Sequence, residues 1–260
     1  MAERGFGVAA GLDPEVAGAL AERCQQLGYA SLWSNDHPGA LGLETLAAFA
    51  EAAPDLDLGV AVMALDRHEP EGIAAALERL GLERERLWIG VGAGFSKRPL
   101  TTMREALPKL RAALGGVRLV LAAMGPRMCA LAGAGYDGAF FNWMTPDFAG
   151  RARDQVHAGA RGADREPPPV LGYVRAAVGE DAATRLAKEE SFYRDLHDGY
   201  RTHFARLGEP EGSVGVAAGD SGAAEAELRG YRALDVVVVR GLASATVETM
   251  TGLAEATAPR

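Results

Sequence analysis

Short continuous apolar runs, each followed by a longer amphipathic stretch, recur along almost all of this 260-residue chain. The runs begin near residues 5, 30, 57, 87, 117, 137, 170 and 234. The first seven starts are 20–33 residues apart, and the 64-residue gap before the eighth leaves room for one insertion. Runs that are apolar throughout, without alternation, belong to parallel strands covered on both faces. Eight βα units in strict succession close a barrel more naturally than they extend an open sheet. The expected fold is therefore a (β/α)8 TIM barrel, one α/β domain over residues 1–260, with a helical insertion between strands seven and eight. The insertion is expected as helices near Asp181–Leu207 and Ser221–Tyr231 around a decorative loop at Gly208–Gly219. Leu100, Met103, Leu107, Leu110 and Leu114 mark the fourth helix, with Thr102 and Glu105 as its capping box and Pro108 as a kink.

Thirty-five acids against 27 bases give a formal net charge of -8. A reader of phosphate backbones needs clustered cations, and the chain has no Lys/Arg run, so nucleic acid is not an expected partner. No apolar stretch reaches the roughly 18–20 residues of a membrane span. The start lacks the order of a signal peptide. Two cysteines make no disulfide framework, and a cytoplasmic location is expected.

In a parallel barrel the chemistry collects at the carboxyl ends of the strands. Those positions carry Ser34-Asn35-Asp36-His37, Ala61-Val62-Met63, Gly90 to Gly94, Met124-Gly125-Pro126-Arg127, Asn142-Trp143, Tyr173 with Arg175, and Arg240-Gly241. The strand-four glycines fail the spacing of a dinucleotide fingerprint and lack its acid at the end of the next strand. Gly125-Pro126-Arg127 is more informative. A glycine at a helix start lets backbone N–H groups approach an anion, the helix dipole favours negative charge, and Arg127 can fork onto a phosphate. Arg175 and Arg240 could serve the same charge from neighbouring strands.

His68, His157, His197 and His203 fall in or near expected helices and read as solvated, as does the Glu189-Glu190 pair. No spacing supports a metal site. His37 stands apart because it follows Asp36 at a strand end. A histidine titrating near neutrality suits proton transfer, and an adjacent carboxylate could fix its tautomer. Asp36 and His37 are thus the expected catalytic pair, aimed into the barrel mouth.

The ordered motifs resemble the bacterial luciferase-like flavin oxidoreductases, and most closely the branch using the deazaflavin coenzyme F420. The stretches that carry the resemblance are Leu27 to Trp33 with Asp36-His37, Leu58 to Val62, and Leu87 to Gly94. The most specific is Leu121 to Met128, followed by Leu131-Ala-Gly133 and Asp137-Gly138. Residues 5 to 162 are covered well and the C-terminal third loosely.

The resemblance implies cofactor bound at the barrel mouth. It places a cis non-prolyl peptide at Ala61-Val62 behind the ring, and a phosphate site at Met124, Gly125, Arg127 and Met128. Asp36 and His37 would flank ring and substrate, and Gly92 and Arg175 complete the expected cofactor-binding set. Sugar-phosphate dehydrogenases of this branch carry an acid where this chain has Phe95, which argues against their substrate. Shorter loops over the mouth imply an open pocket.

The leading expectation is an F420-dependent oxidoreductase moving a hydride between deazaflavin C5 and a small-molecule substrate. The alternatives are an FMN-dependent monooxygenase fed by a separate reductase, and a cofactor-free ligand-binding barrel. A homodimer is expected through the second helix, where Leu43, Leu46, Ala47, Phe49 and Ala50 leave little polar face.

Overall fold

The computed structural model describes residues 2–260. Strand β1 (Glu3–Val8) leads into α1 (Pro14–Gln26), opened by Asp13, whose side chain accepts the Glu15 N–H at 2.9 Å. There follow β2 (Ser31–Ser34), α2 (Gly42–Ala52), β3 (Asp57–Ala64), α3 (Pro70–Arg79), β4 (Leu87–Gly92) and α4 (Pro99–Ala113). The next units are β5 (Arg118–Ala122), α5 (Pro126–Gly135), β6 (Gly138–Asn142), α6 (Pro146–Gly162) and β7 (Val170–Val178). The insertion contributes α7 (Ala182–Leu196), α8 (Asp198–Leu207), β8 (Val216–Ala218) and α9 (Ser221–Leu228). The chain ends with β9 (Val236–Gly241) and α10 (Val247–Ala256).

Strands β1 to β7 and β9 pair in parallel and close on themselves through β9–β1, with β7 joined to both β6 and β9. This is the expected (β/α)8 barrel. Two packed layers result. Trp33, Ala61, Val120, Phe140, Leu171, Tyr173, Val236 and Val238 fill the barrel, and a larger cluster joins its outer face to the helices. No described helix is long and apolar enough to cross a membrane.

Three local expectations are corrected. Helix α4 starts at Pro99 behind Arg98, so Thr102 caps nothing; its hydroxyl pairs with Ser96 Oγ at 2.7 Å. The Gly208–Gly219 segment holds a strand, β8, paired with β7 from Ala176↔Val216 to Val178↔Ala218. Strand β7 outruns β6, whose pairing stops at Asn142↔Tyr173, and β8 takes up the edge left free. The insertion helices also break at His197, whose extended φ of -168° ends α7 and whose Nδ1 accepts the Gly199 N–H at the start of α8.

His203 and Glu190, expected in solvent, are both fully buried. Glu190 receives Arg194 Nε at 2.8 Å and the Val214 N–H at 3.0 Å, tying α7 to the segment before β8. His203 Nε2 lies 2.5 Å from the Trp143 carbonyl, tying α8 to the end of β6. Burial pushes the His203 imidazole below its ordinary value. Such a group is fully stabilising above its unfolded pKa of about 6.5 and loses that contribution as pH falls from there towards the folded value. Thermal unfolding at stepped pH should show stability falling below about pH 6.5, by at most about 1.4 kcal/mol per unit for this one group. In His203→Gln that part of the slope should vanish.

Candidate active site at the barrel mouth

The first part of the mouth is built by the loops after β2 and β3. Asn35 Oδ1 accepts the Ala10 N–H at 2.8 Å and anchors the turn to the end of β1. The Asp36 carboxylate is almost wholly shielded. It accepts the Gly42 N–H at 3.1 Å, Arg67 Nη2 at 2.6 Å and His68 Nε2 at 2.8 Å.

His37 is exposed and does not touch Asp36. Its Nδ1 accepts the Gly39 N–H at 3.1 Å, inside a turn closed by the His37–Ala40 bridge. Consecutive residues of an extended segment send side chains to opposite sides, so adjacency in sequence does not make contact in space. The expected Asp36–His37 couple is therefore replaced by Asp36–His68. The His37 tautomer is fixed by Gly39 instead. With Nδ1 accepting, the neutral ring carries its proton on the uncommitted Nε2. His68 was missed because it stands next to the start of α3 and reads as solvated. It lies two residues before Pro70, in the loop after β3 that faces the end of β2.

The second part is the wall between β3 and β4. The Ala61–Val62 peptide is cis, and the β3–β4 register shifts there, between Val60 and Met63. Gly92 is required by this close approach, since a Cβ at that position would sit 2.9 Å from Val62 Cγ1.

The third part is the start of α5. Gly125 is its N-cap and Pro126 its first residue, as expected, and Met124 and Met128 flank them half-buried. Arg127 is exposed there. Arg206 on α8 reaches the same spot, its Nη1 3.5 Å from where a Gly125 Cβ would stand. Among the described residues neither cation has a carboxylate within ion-pair distance. Arg206 was out of reach of sequence reading, since only the folded insertion brings it to residue 125.

The insertion also corrects the expectation of an open pocket. Tyr193 on α7 lies over Arg175, 4.9 Å from guanidinium carbon to ring centre, and the Asn142 amide donates to Tyr200 Oη at 3.2 Å. Phe95 is largely exposed at the rim and meets His197 edge-on, with ring centres 5.6 Å apart. An aromatic roof of Phe95, Tyr193, His197 and Tyr200 thus stands over the mouth. Neither cysteine takes part. Cys24 and Cys129 are buried, and desolvation pushes the Cys129 thiol up to about 12, where no thiolate nucleophile forms.

Solved structures similar over nearly the whole chain share this barrel. An F420-dependent secondary alcohol dehydrogenase in complex with an F420-acetone adduct has a TM-score of 0.76 at 16% identity, covering 98% of this chain and 97% of that one. The coenzyme F420-dependent tetrahydromethanopterin reductase from Methanopyrus kandleri has a TM-score of 0.73 at 16% identity, over 99% and 98%. The oxygenating constituent of 3,6-diketocamphane monooxygenase from Pseudomonas putida, in complex with FMN, has a TM-score of 0.69 at 13% identity, over 100% and 99%. At such identities these likenesses speak for the fold. The family model for luciferase-like monooxygenases matches residues 98–257, which includes the C-terminal third that the motifs covered only loosely. On that match, the chain belongs to the luciferase-like monooxygenase family.

Proposed function

We propose that the chain is a coenzyme F420-dependent oxidoreductase that moves a hydride between the deazaflavin and a small-molecule substrate held in the barrel mouth. The observation that carries this reading is the pair of uncompensated cations, Arg127 and Arg206, at the N-terminus of α5. Backbone N–H groups and the helix dipole add to them, and an anionic cofactor tail is the ligand such a place suits. F420-dependent enzymes stand among the similar structures, beside an FMN-bound monooxygenase.

The residues present fit the group. Arg127, Arg206 and the α5 start would hold the anionic tail, with Met124, Gly125 and Met128 around it. Ala61, Val62 and Gly92 would back the ring. The bound deazaflavin would supply a hydride-exchanging C5. The remaining task is a proton on the substrate oxygen. His37 is the group proposed for it, since the residue is exposed and its Nδ1 is occupied. Asp36, shared by Arg67 and His68, would hold the two loops together. A homodimer through α2 is also proposed, where Ala47, Ala48 and Ala50 line an open groove of about 470 Å³.

Equilibrium titration with F420, FMN and FAD tests the reading. F420 is expected to bind best. Arg127→Ala should weaken it by about 1.5 kcal/mol, the low end for a charge-assisted hydrogen bond, because Arg127 is exposed and Arg206 remains. Binding of FMN alone, with oxygen uptake on supplying reduced FMN, would make the protein a monooxygenase. Failure to bind any of the three would leave a cofactor-free barrel.

A further inference from the structure

Two arginines face each other inside the barrel. Arg175 on β7 and Arg240 on β9 are direct partners in the parallel register, one pleat above Tyr173↔Val238. Side chains alternate along a strand, so residues two apart share a face. Tyr173 and Val238 belong to the cluster that fills the barrel, and Arg175 and Arg240 therefore head its uppermost layer. Both are buried, at 2% and 8% exposure.

Like charges on adjacent strands repel, and a buried cation without a counter-charge is costly. Among the described residues no carboxylate lies within ion-pair distance of either guanidinium. What compensation there is comes from the aromatic rings around Arg175 and, beyond ion-pair distance, from the Glu189 carboxylate acting on Arg240. Arg175 donates to Asn142 Oδ1 and lies 4.2 Å from the Trp143 ring centre, while its Nε has no partner. Arg240 donates from Nη1 to the Gly241 carbonyl at 2.9 Å. The Tyr173 hydroxyl, one pleat below them on β7, is buried and unpartnered as well. Its ring has room because the β1 residue beside it is Gly7, where a Cβ would come within 2.7 Å of the Tyr173 ring. Trp143 takes a left-handed φ of 51° at the end of β6, and its ring packs against the Arg175 guanidinium.

Unused donors and unpaired positive charge in one buried layer describe a site for an oxyanion. A guanidinium stacked on aromatic rings keeps its edge free for a planar, two-oxygen acceptor. This charge is separate from the Arg127–Arg206 locus, which lies outside the barrel strands at the start of α5. We propose that Arg175, Arg240 and the Tyr173 hydroxyl bind a carboxylate on the substrate, which makes the substrate class a small organic acid. The assignment rests on the mouth being the reaction site, and it moves Arg175 from the cofactor to the substrate.

The probes are acetate and its neutral isostere acetamide, titrated into the full-length protein at constant ionic strength, with thermal midpoint and calorimetry as readouts. Acetate is expected to bind and raise the midpoint, and acetamide to do neither. Arg240→Gln should weaken acetate about tenfold or more, as loss of a charge-assisted pair does. The same variant should raise the midpoint of the anion-free protein by removing the repulsion. Tyr173→Phe, which removes one oxygen only, should weaken acetate several-fold, and Arg127→Ala should leave it unchanged. Acetate should bind equally well once F420 or FMN is loaded. Equal binding of acetate and acetamide, or full binding by Arg240→Gln, overturns the site. Competition between acetate and the loaded cofactor overturns the substrate assignment and returns the arginines to the cofactor. Failure of every flavin to bind bears on the function proposed above, while the acetate comparison in the cofactor-free protein still decides this one.

Discussion

Replacing His37 by asparagine is expected to lower turnover by about 10²–10⁴-fold, the usual worth of a positioned general acid or base. Asparagine is informative because of the turn that holds the ring. Its Oδ1 can accept the Gly39 N–H that His37 Nδ1 now accepts, so the loop should keep its shape. What disappears is the proton on Nε2. Cofactor affinity should therefore stay within about twofold while kcat falls, the pattern of an interaction made only in the transition state. Steady-state kinetics on a substrate found by screening small organic acids, with cofactor titration alongside, separate the two quantities. Turnover within twofold of the parent would move the proton to another group, and His68, held by Asp36 at 2.8 Å, would be next in line.

The second large effect concerns stability. Glu190 is a fully buried carboxylate holding Arg194 and the Val214 N–H, and Arg194 also lies 4.3 Å from the Phe204 ring centre on α8. Alanine there would strand a cation and an amide N–H at once. Breaking a buried pair from one side costs about 3–5 kcal/mol, so Glu190→Ala should lose about that much in a denaturant titration. The loss should be local. Limited proteolysis is expected to cut first between α7 and β8, because those contacts, and not the barrel ladder, are what the variant removes. A change under about 1 kcal/mol with unchanged cleavage sites would mean that the pair is dispensable.

The barrel was legible because its strands are buried on both faces, so their apolar runs and spacing survive in the sequence without help from tertiary context. The Gly125-Pro126 start of α5 was legible for a local reason too, since a helix start is written within a few residues. What stayed hidden depends on distance along the chain. Strand β8 has three residues in a glycine-rich segment, and only the free edge of β7 makes a strand of them. The partnership of Asp36 with His68 spans 32 positions. Glu190 carried one overlooked signal, since it falls four residues after Leu186, on the same side of α7 as a fully buried leucine. Buried charge there is a matter of partners, and one partner, the Val214 N–H, lies 24 residues on, in the segment before β8.

The pairing of β8 with the upper end of β7 also limits how the roof could have been acquired or could be exchanged. A cover hung on two flexible loops can be trimmed or swapped with little effect on the barrel beneath. Here, cutting out residues 180–219 would expose the N–H and C=O groups of Ala176 to Val178 as a bare strand edge, an invitation to intermolecular pairing. The transplantable unit is therefore larger than the helices that contact the mouth. Any graft that re-tailors the roof for a different substrate has to carry its own edge strand with it.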